Sequence, residues 1–223
     1  MGISFDFLFP NPDPDQERTG TKLFFYRLWC HFGQLTSANL LCLLFSVPVI
    51  TIPAAYAALC RITGMLVRNE PVSVWEDFFG AFRSNFKSSI LVGFATMSAP
   101  VLAFYVIPFY RTYAQQNPVF LLPLGIVVLA TVFQIMMSFY AYPMLSSLDM
   151  TAGTVIRNSA LLTLVKLPQN LLTLLILSVI WVAVVLLLPL SLIVVVFLLF
   201  SIVSLVTVTR VWPVIDTYAV RKQ

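Results

Sequence analysis

From Leu171 to Val208 the chain runs for 38 residues without one charged side chain. A helix needs roughly 20 residues to cross a hydrocarbon core about 30 Å thick, so this stretch is too long for a single crossing. Pro189 stands near its midpoint, where it removes a backbone donor and favours a turn. The run is therefore read as two spans joined by a tight hairpin.

Shorter apolar runs repeat the pattern upstream. Residues 88–110 and 119–142 are each long enough to span. The run from Ala38 is interrupted by Ser46-Val47-Pro48-Val49-Ile50-Thr51-Ile52-Pro53. Both prolines push their predecessors towards extended geometry, and Pro53 suits the first turn of a new helix. Only 10% of all residues are charged, against about 25% in a soluble domain. So few charges cannot cover a surface in water. The expected fold is all-α, a polytopic transmembrane helical bundle of five to six membrane segments with interfacial amphipathic helices. The segments are placed at about 36–67 (broken at Pro48–Pro53), 88–110, 119–142, 169–188 and 190–212. They form one transmembrane domain over 21–223, behind an extended, proline-rich and acidic segment at 1–20.

Three stretches are amphipathic rather than wholly apolar. Residues 21–35 mix aromatics and Leu with Lys22, Arg27 and His31, as in an interfacial helix. Within 68–87, Trp75, Phe79, Phe82 and Phe86 recur at helical spacing while Glu76, Arg83 and Lys87 take another face; Ser73 is the expected N-cap. Residues 146–168 carry Asp149, Arg157 and Lys166. A loose repeat results, an interfacial helix leading into a span three times, near Lys22, Trp75 and Thr154. Two returning spans are expected to end alike, at Tyr142-Pro143-Met144-Leu145 and Trp212-Pro213-Val214-Ile215. Chance is the competing explanation, since apolar helices commonly end in Pro beside aromatics.

Basic residues set orientation, because they accumulate on the cytoplasmic side of short loops. Arg61, Arg68, Arg83, Lys87, Arg157, Lys166, Arg210, Arg221 and Lys222 fall on one side of the expected topology, and Arg111 alone on the other. Those nine against one put the C-terminus in the cytoplasm. Arg18, Lys22 and Arg27 depend on the first segment. If 38–67 crosses once, the tally is nine against four. If the proline break is the tip of a short hairpin, it is twelve against one, although the returning arm of about 15 residues reaches only roughly 22 Å. The hairpin is preferred on the count. The same distribution explains the net charge of +4 without nucleic acid.

No constellation supports catalysis. His31 is the single histidine, set among aromatics; no metal cluster, cofactor motif or phosphate-binding G-x-x-x-x-G-K-[ST] occurs. Cys30, Cys42 and Cys60 form no C-x-x-C pair and read as reduced packing residues. The N-terminus lacks a basic n-region, and Asp6 breaks a myristoylation motif that Gly2 would open. All nine acidic residues lie outside the apolar runs, which disfavours a carboxylate proton relay. Arg61 and Arg210 come closest to membrane depth, either snorkelling to the headgroups or pairing with an anionic lipid, substrate or partner. Polar groups within the spans include Asn39, Thr51, Thr96, Ser98, Thr131, Gln134 and Thr207. One reading has them bonding between helices or to their own backbone. The other gathers Asn39, Thr51, Gln134 and Arg61 around the Pro48–Pro53 break as a polar site, as in transporters with broken helices.

The segment from Asn39-Leu40-Leu41 through Pro48 and Leu59, then Phe82 to Lys87, with Arg157-Asn158-Ser159-Ala160-Leu161 later, resembles the YesL-like bacterial membrane proteins, domain of unknown function 624. Pro53 stands where that family often has Gly. The resemblance implies a multi-pass protein of the bacterial plasma membrane in the company of carbohydrate ABC transporters. On that basis the expected function is a non-enzymatic accessory or subunit of such a system, embedded in lipid. Phe82, Arg83, Phe86, Lys87, Arg157 and Asn158 are the candidate contacts to its permease or ATPase. An independent small transporter or channel, or a membrane scaffold, are the alternatives.

Overall fold

A computed structural model describes residues 21–115 and 117–220. The expected extended segment at 1–20 lies outside them, as do Arg18, Arg221 and Lys222. Among the described residues every element is helical. Eight helices follow in order. They are α1 (Thr21–Cys30), α2 (Phe32–Phe45), α3 (Ile52–Val67), α4 (Val74–Ala114), α5 (Leu121–Ser147), α6 (Ala152–Val165), α7 (Leu167–Leu186) and α8 (Ser191–Tyr218). Five of these are long and apolar enough to cross a membrane (α3 counted with the 3₁₀ turn before it), or six if the bent pair α1–α2 is one span.

The centre is α3. Ala54, Ala55, Ala57, Ala58 and Gly64 let neighbouring backbones approach closely, the device membrane bundles use where lipid supplies no hydrophobic drive. Gly93 of α4 is the tightest such point. A Cβ there would fall 2.7 Å from Cβ of Pro53 and closer still to its Cγ. Around α3 the core forms two clusters that share Tyr56. One joins α3, α5, α6 and α8 through residues such as Cys60, Tyr140, Met144 and Ile215. The other joins α2, α3, α4 and α8 through Leu35, Cys42, Leu59, Phe78 and Leu205. Outward faces of α4, α5 and α7 are apolar too, with Phe94, Phe104, Leu129 and Val179 exposed. Such side chains have no place against water in such number, and lipid accounts for them.

Three expectations need correction. First, the interfacial stretch 21–35 is not one helix. The chain bends by 79° between α1 and α2 at His31. Arg27 Nη2 donates to the Val67 carbonyl at 2.8 Å, one of the acceptors the end of α3 leaves open, and this holds α1 across the bundle. Second, the amphipathic stretch after Ser73 and the next span are a single helix of 41 residues. Nothing between Phe82 and Ile90 breaks a helix, so α4 extends about 60 Å at 1.5 Å per residue. That exceeds even the 40–45 Å of a bilayer with its headgroups, so the charged first turns lie beyond the hydrocarbon. Ser73 does precede the helix, but its side chain forms no cap; its N–H instead donates to Asp77 Oδ2 at 2.8 Å.

Third, Pro143 and Pro213 lie inside α5 and α8 rather than ending them. Tyr142, Pro143, Met144 and Leu145 are all buried, and this packing offsets the missing backbone donor. Helix α8, for which the sequence carried no such expectation, is not regular throughout. It opens into a π turn over Val195–Leu199 and runs at its end into another, Asp216–Val220. The turn at Pro189 joins α7 to α8, with Ser191 Oγ donating to the Val184 carbonyl at 2.7 Å.

Candidate functional site

The proline break is real. Helix α2 ends at Phe45, a 3₁₀ turn spans Val49–Thr51, and α3 starts with Pro53 in its first turn. The polar site expected around it does not assemble. Asn39 is fully buried and bonds to α8. Its Nδ2 donates to the carbonyls of Val195 (3.3 Å) and Val196 (2.7 Å), and its Oδ1 accepts from the Ser201 N–H at 3.0 Å. Two of these groups lie in the π turn over Val195–Leu199 and the third just after it, so one amide bridges both sides of the irregularity. Thr51 Oγ1 donates to the Phe45 and Pro48 carbonyls, closing the end of α2. Gln134 serves α4: its Oε1 accepts from the Ala99 N–H at 2.7 Å and its Nε2 donates to Ser98 Oγ at 3.0 Å, beside Pro100. Three polar side chains thus serve three separate backbone defects, as the low dielectric of a bilayer demands.

Beside the break lies a cavity of ≈ 670 Å³, bounded by α2, α3, α4, α5, α7 and α8. Its walls are almost wholly apolar, with Ile52, Met97, Ile135, Phe139, Leu177 and Val203 among them. None of Asn39, Thr51 and Gln134 lines it. Tyr56 meets Tyr142 edge-on, centroids 5.1 Å apart, and Tyr142 in turn shares a 3.2 Å hydrogen bond with Thr96.

Most of the charged side chains gather at one end, with Arg111 in the far turn of α4 the exception. Arg27 reaches Val67 at the last turn of α3. Arg68 forms a bidentate pair with Glu70 (2.6 and 2.9 Å) and lies 4.4 Å over the Trp212 ring, near the close of α8. Lys166 lies 5.3 Å over Tyr218. Residues 27, 67, 68 and 212 therefore share an end of the bundle, and α2 with α3 forms a hairpin rather than one crossing. The hydrogen bonds from Arg68 hold the Glu70 carboxyl below its ordinary range. Arg210 is drawn inward, Nε donating to Thr173 Oγ1 at 3.1 Å, while Gln169 donates to its carbonyl at 3.0 Å; this ties α7 to α8.

At the same end a polar groove of ≈ 770 Å³ runs between the start of α4 and the α5–α6 connection. Arg61 sits in it, half-buried and donating to the Ser146 carbonyl at 3.3 Å, with Glu76, Asp77 and Asp149 also on its walls. The proposed partner contacts divide. Phe82 and Phe86 are half-buried, Phe82 packing against Phe45 and Phe78. Arg83, Lys87 and Arg157 are exposed, and Asn158 is partly covered, its Nδ2 3.9 Å from Met150 Sδ. All three cysteines are free and buried, and the described residues contain no grouping of three or more His, Cys, Asp or Glu able to hold a metal.

Two buried polar links escaped the sequence reading. Tyr140 donates to Asn170 Oδ1 at 2.7 Å, and Asn170 Nδ2 donates to the Thr163 carbonyl at 3.0 Å, joining α5, α6 and α7. Thr63 and Ser204 share a 2.7 Å bond between α3 and α8. Asn170, half of the Gln169-Asn170 amide pair at the head of a long apolar run, was the available signal for the first.

These features define a multi-helix bundle built for a lipid surrounding, with an apolar interior cavity and a polar groove at its charged end. Residues 35–107, from α2 into the second half of α4, match the family described as protein of unknown function, DUF624. The resemblance read from the sequence is thereby borne out over that stretch, while the Arg157–Leu161 motif lies beyond it. No curated protein and no solved structure matches the chain.

Proposed function

We propose that this chain is a non-enzymatic integral protein of the bacterial plasma membrane, C-terminus in the cytoplasm, acting as an accessory or subunit of a carbohydrate ABC transport system. The observation that carries the reading is the sorting of charge. Arg27, Arg61, Arg68 and Lys166 all engage groups at the end of the bundle where α3 stops and α4 starts. By the preference of basic residues for the inner side that end faces the cytoplasm, where an ATPase would be met. The groove there offers Arg61 on one wall and Asp77 and Asp149 on others, a mixed-sign surface suited to a charged helix of a permease or ATPase. Exposed Arg83, Lys87 and Arg157 extend the same surface. The association with sugar uptake rests on the family resemblance.

Affinity purification of the tagged chain from native membranes tests the partner. Co-purification of solute-binding, permease or ATPase components is expected, and their consistent absence would refute it. A reporter fused at residue 18 tests the orientation, with activity expected only for a cytoplasmic enzyme. A stand-alone polar-solute transporter receives less support, because Asn39, Thr51 and Gln134 are engaged with backbone. Solute flux into liposomes holding this chain alone would reverse that preference.

A further inference from the structure

The cavity beside the proline break is left without a role by a partner-binding function. Its volume of ≈ 670 Å³ falls in the range of small-molecule sites, roughly 300–1,000 Å³. Unfilled apolar space destabilises a core in proportion to its volume, and water does not fill such space without polar partners. The hydroxyls on the walls offer few donors. Thr96 donates to the Val92 carbonyl and meets Tyr142, Ser138 donates to Ile135, Ser178 to Leu175 and Thr207 to Val203. A sugar or an ion would lose its hydration there and gain little in return.

The rim shows where an occupant comes from. Ser178, Trp181 and Val182 line the cavity and are exposed, the last two at 46% and 57%. All three lie within α7, in the uncharged run, so this side of the cavity opens into the bilayer rather than into water. We propose that the cavity is a binding site for one acyl tail of a membrane phospholipid, entering sideways past Trp181 and Val182. A flexible hydrocarbon chain fits the walls chemically, its glycerol and headgroup stay outside, and the surrounding leaflet supplies it at high local concentration. The inference needs the chain to span a membrane but not the transporter association, so the two stand or fall separately.

Photolabelling tests it. The full chain is reconstituted in phosphatidylethanolamine–phosphatidylglycerol vesicles containing a phospholipid with a diazirine midway along one tail, irradiated, and mapped by peptide mass spectrometry. Adducts are expected on Tyr56, Met97 and Ser138, which line the cavity, as well as on outward Phe94 and Phe104. Adducts confined to outward residues would overturn the proposal. Leu177→Trp, which pushes an indole into the cavity, is expected to weaken the inner adducts while keeping those at Phe104. Val203→Phe obstructs the cavity from α8 should the first variant misfold, and undiminished inner labelling in a folded, obstructed variant would also refute the site. A free fatty acid carrying the same diazirine separates the sources. Inner labelling by that probe but not by the phospholipid would reject a phospholipid occupant.

Discussion

Replacing Asn39 by Ala tests whether the irregular α8 depends on a side chain from another helix. The amide makes three hydrogen bonds to α8, at 3.3, 2.7 and 3.0 Å, and is fully buried. Interhelical hydrogen bonds in bilayers average about 0.6 kcal/mol each, giving a floor of about 2 kcal/mol for the three. Leaving a buried donor or acceptor unpaired costs about 1–3 kcal/mol. Ser201 N–H and the Val196 carbonyl would both be left so unless the π turn rearranged. The expected loss is therefore about 2–5 kcal/mol. Reversible unfolding in mixed micelles, titrated with a denaturing detergent, would measure it. Asn39→Asp keeps the acceptor but puts a carboxylate against two carbonyls, and is expected to be no better than Ala. Ser178→Ala serves as the control, since that exposed hydroxyl bonds only within its own helix. A change within 0.5 kcal/mol of the parent for Asn39→Ala would refute the view that the amide holds the π turn together.

Gly93→Ala is expected to destabilise by about 1–3 kcal/mol, the usual cost of overpacking, because the new methyl would overlap the rigid Pro53 ring; the same titration measures it. Gln134→Leu should cost about 1–3 kcal/mol by stranding the Ala99 N–H beside Pro100, read as lost stability and faster amide exchange at Ala99. The Glu70 carboxyl is held low chiefly by hydrogen bonds from Arg68. A depressed carboxyl contributes stability above its unfolded pKa and loses it as pH falls through the folded value. Glu70→Gln should therefore lower the thermal midpoint slightly at pH 7 and by progressively less as the pH falls through the acid range, the effect kept small by exposure of the pair.

The spans were readable because hydrocarbon is an unforgiving solvent: a run such as 171–208 admits few other interpretations. The proline break at 48–53 was readable for the same reason, since two missing donors at membrane depth must show. What sequence left hidden is where repair comes from. Asn39, Thr51 and Gln134 looked like a site because they are polar and near a break in the chain. Each serves a different defect, and one of those defects, the π turn at Val195–Leu199, has no local signature in an unbroken Val, Phe and Leu run. Pro143 and Pro213 misled as helix ends because burial of their neighbours, a tertiary fact, overrode the local preference. The cavity is invisible in sequence, being bounded by residues from six helices that are each ordinary apolar choices.

The position of α3 bears on how the chain is made. Its 18-residue window is 61% buried within the protein, while those of the other four candidate spans are 6% to 33% buried. With Arg61 in its length and Ala on several faces, α3 is the poorest of the five at partitioning into lipid alone. Yet it leaves the ribosome before all of the others. Ser204 and Leu205, which complete its surroundings, emerge last. During synthesis the earliest of these helices must therefore wait for the latest, leaning meanwhile on α2 or on the insertion machinery. Chains truncated before residue 200 should accordingly be degraded in the membrane, even though most of their spans have already been inserted.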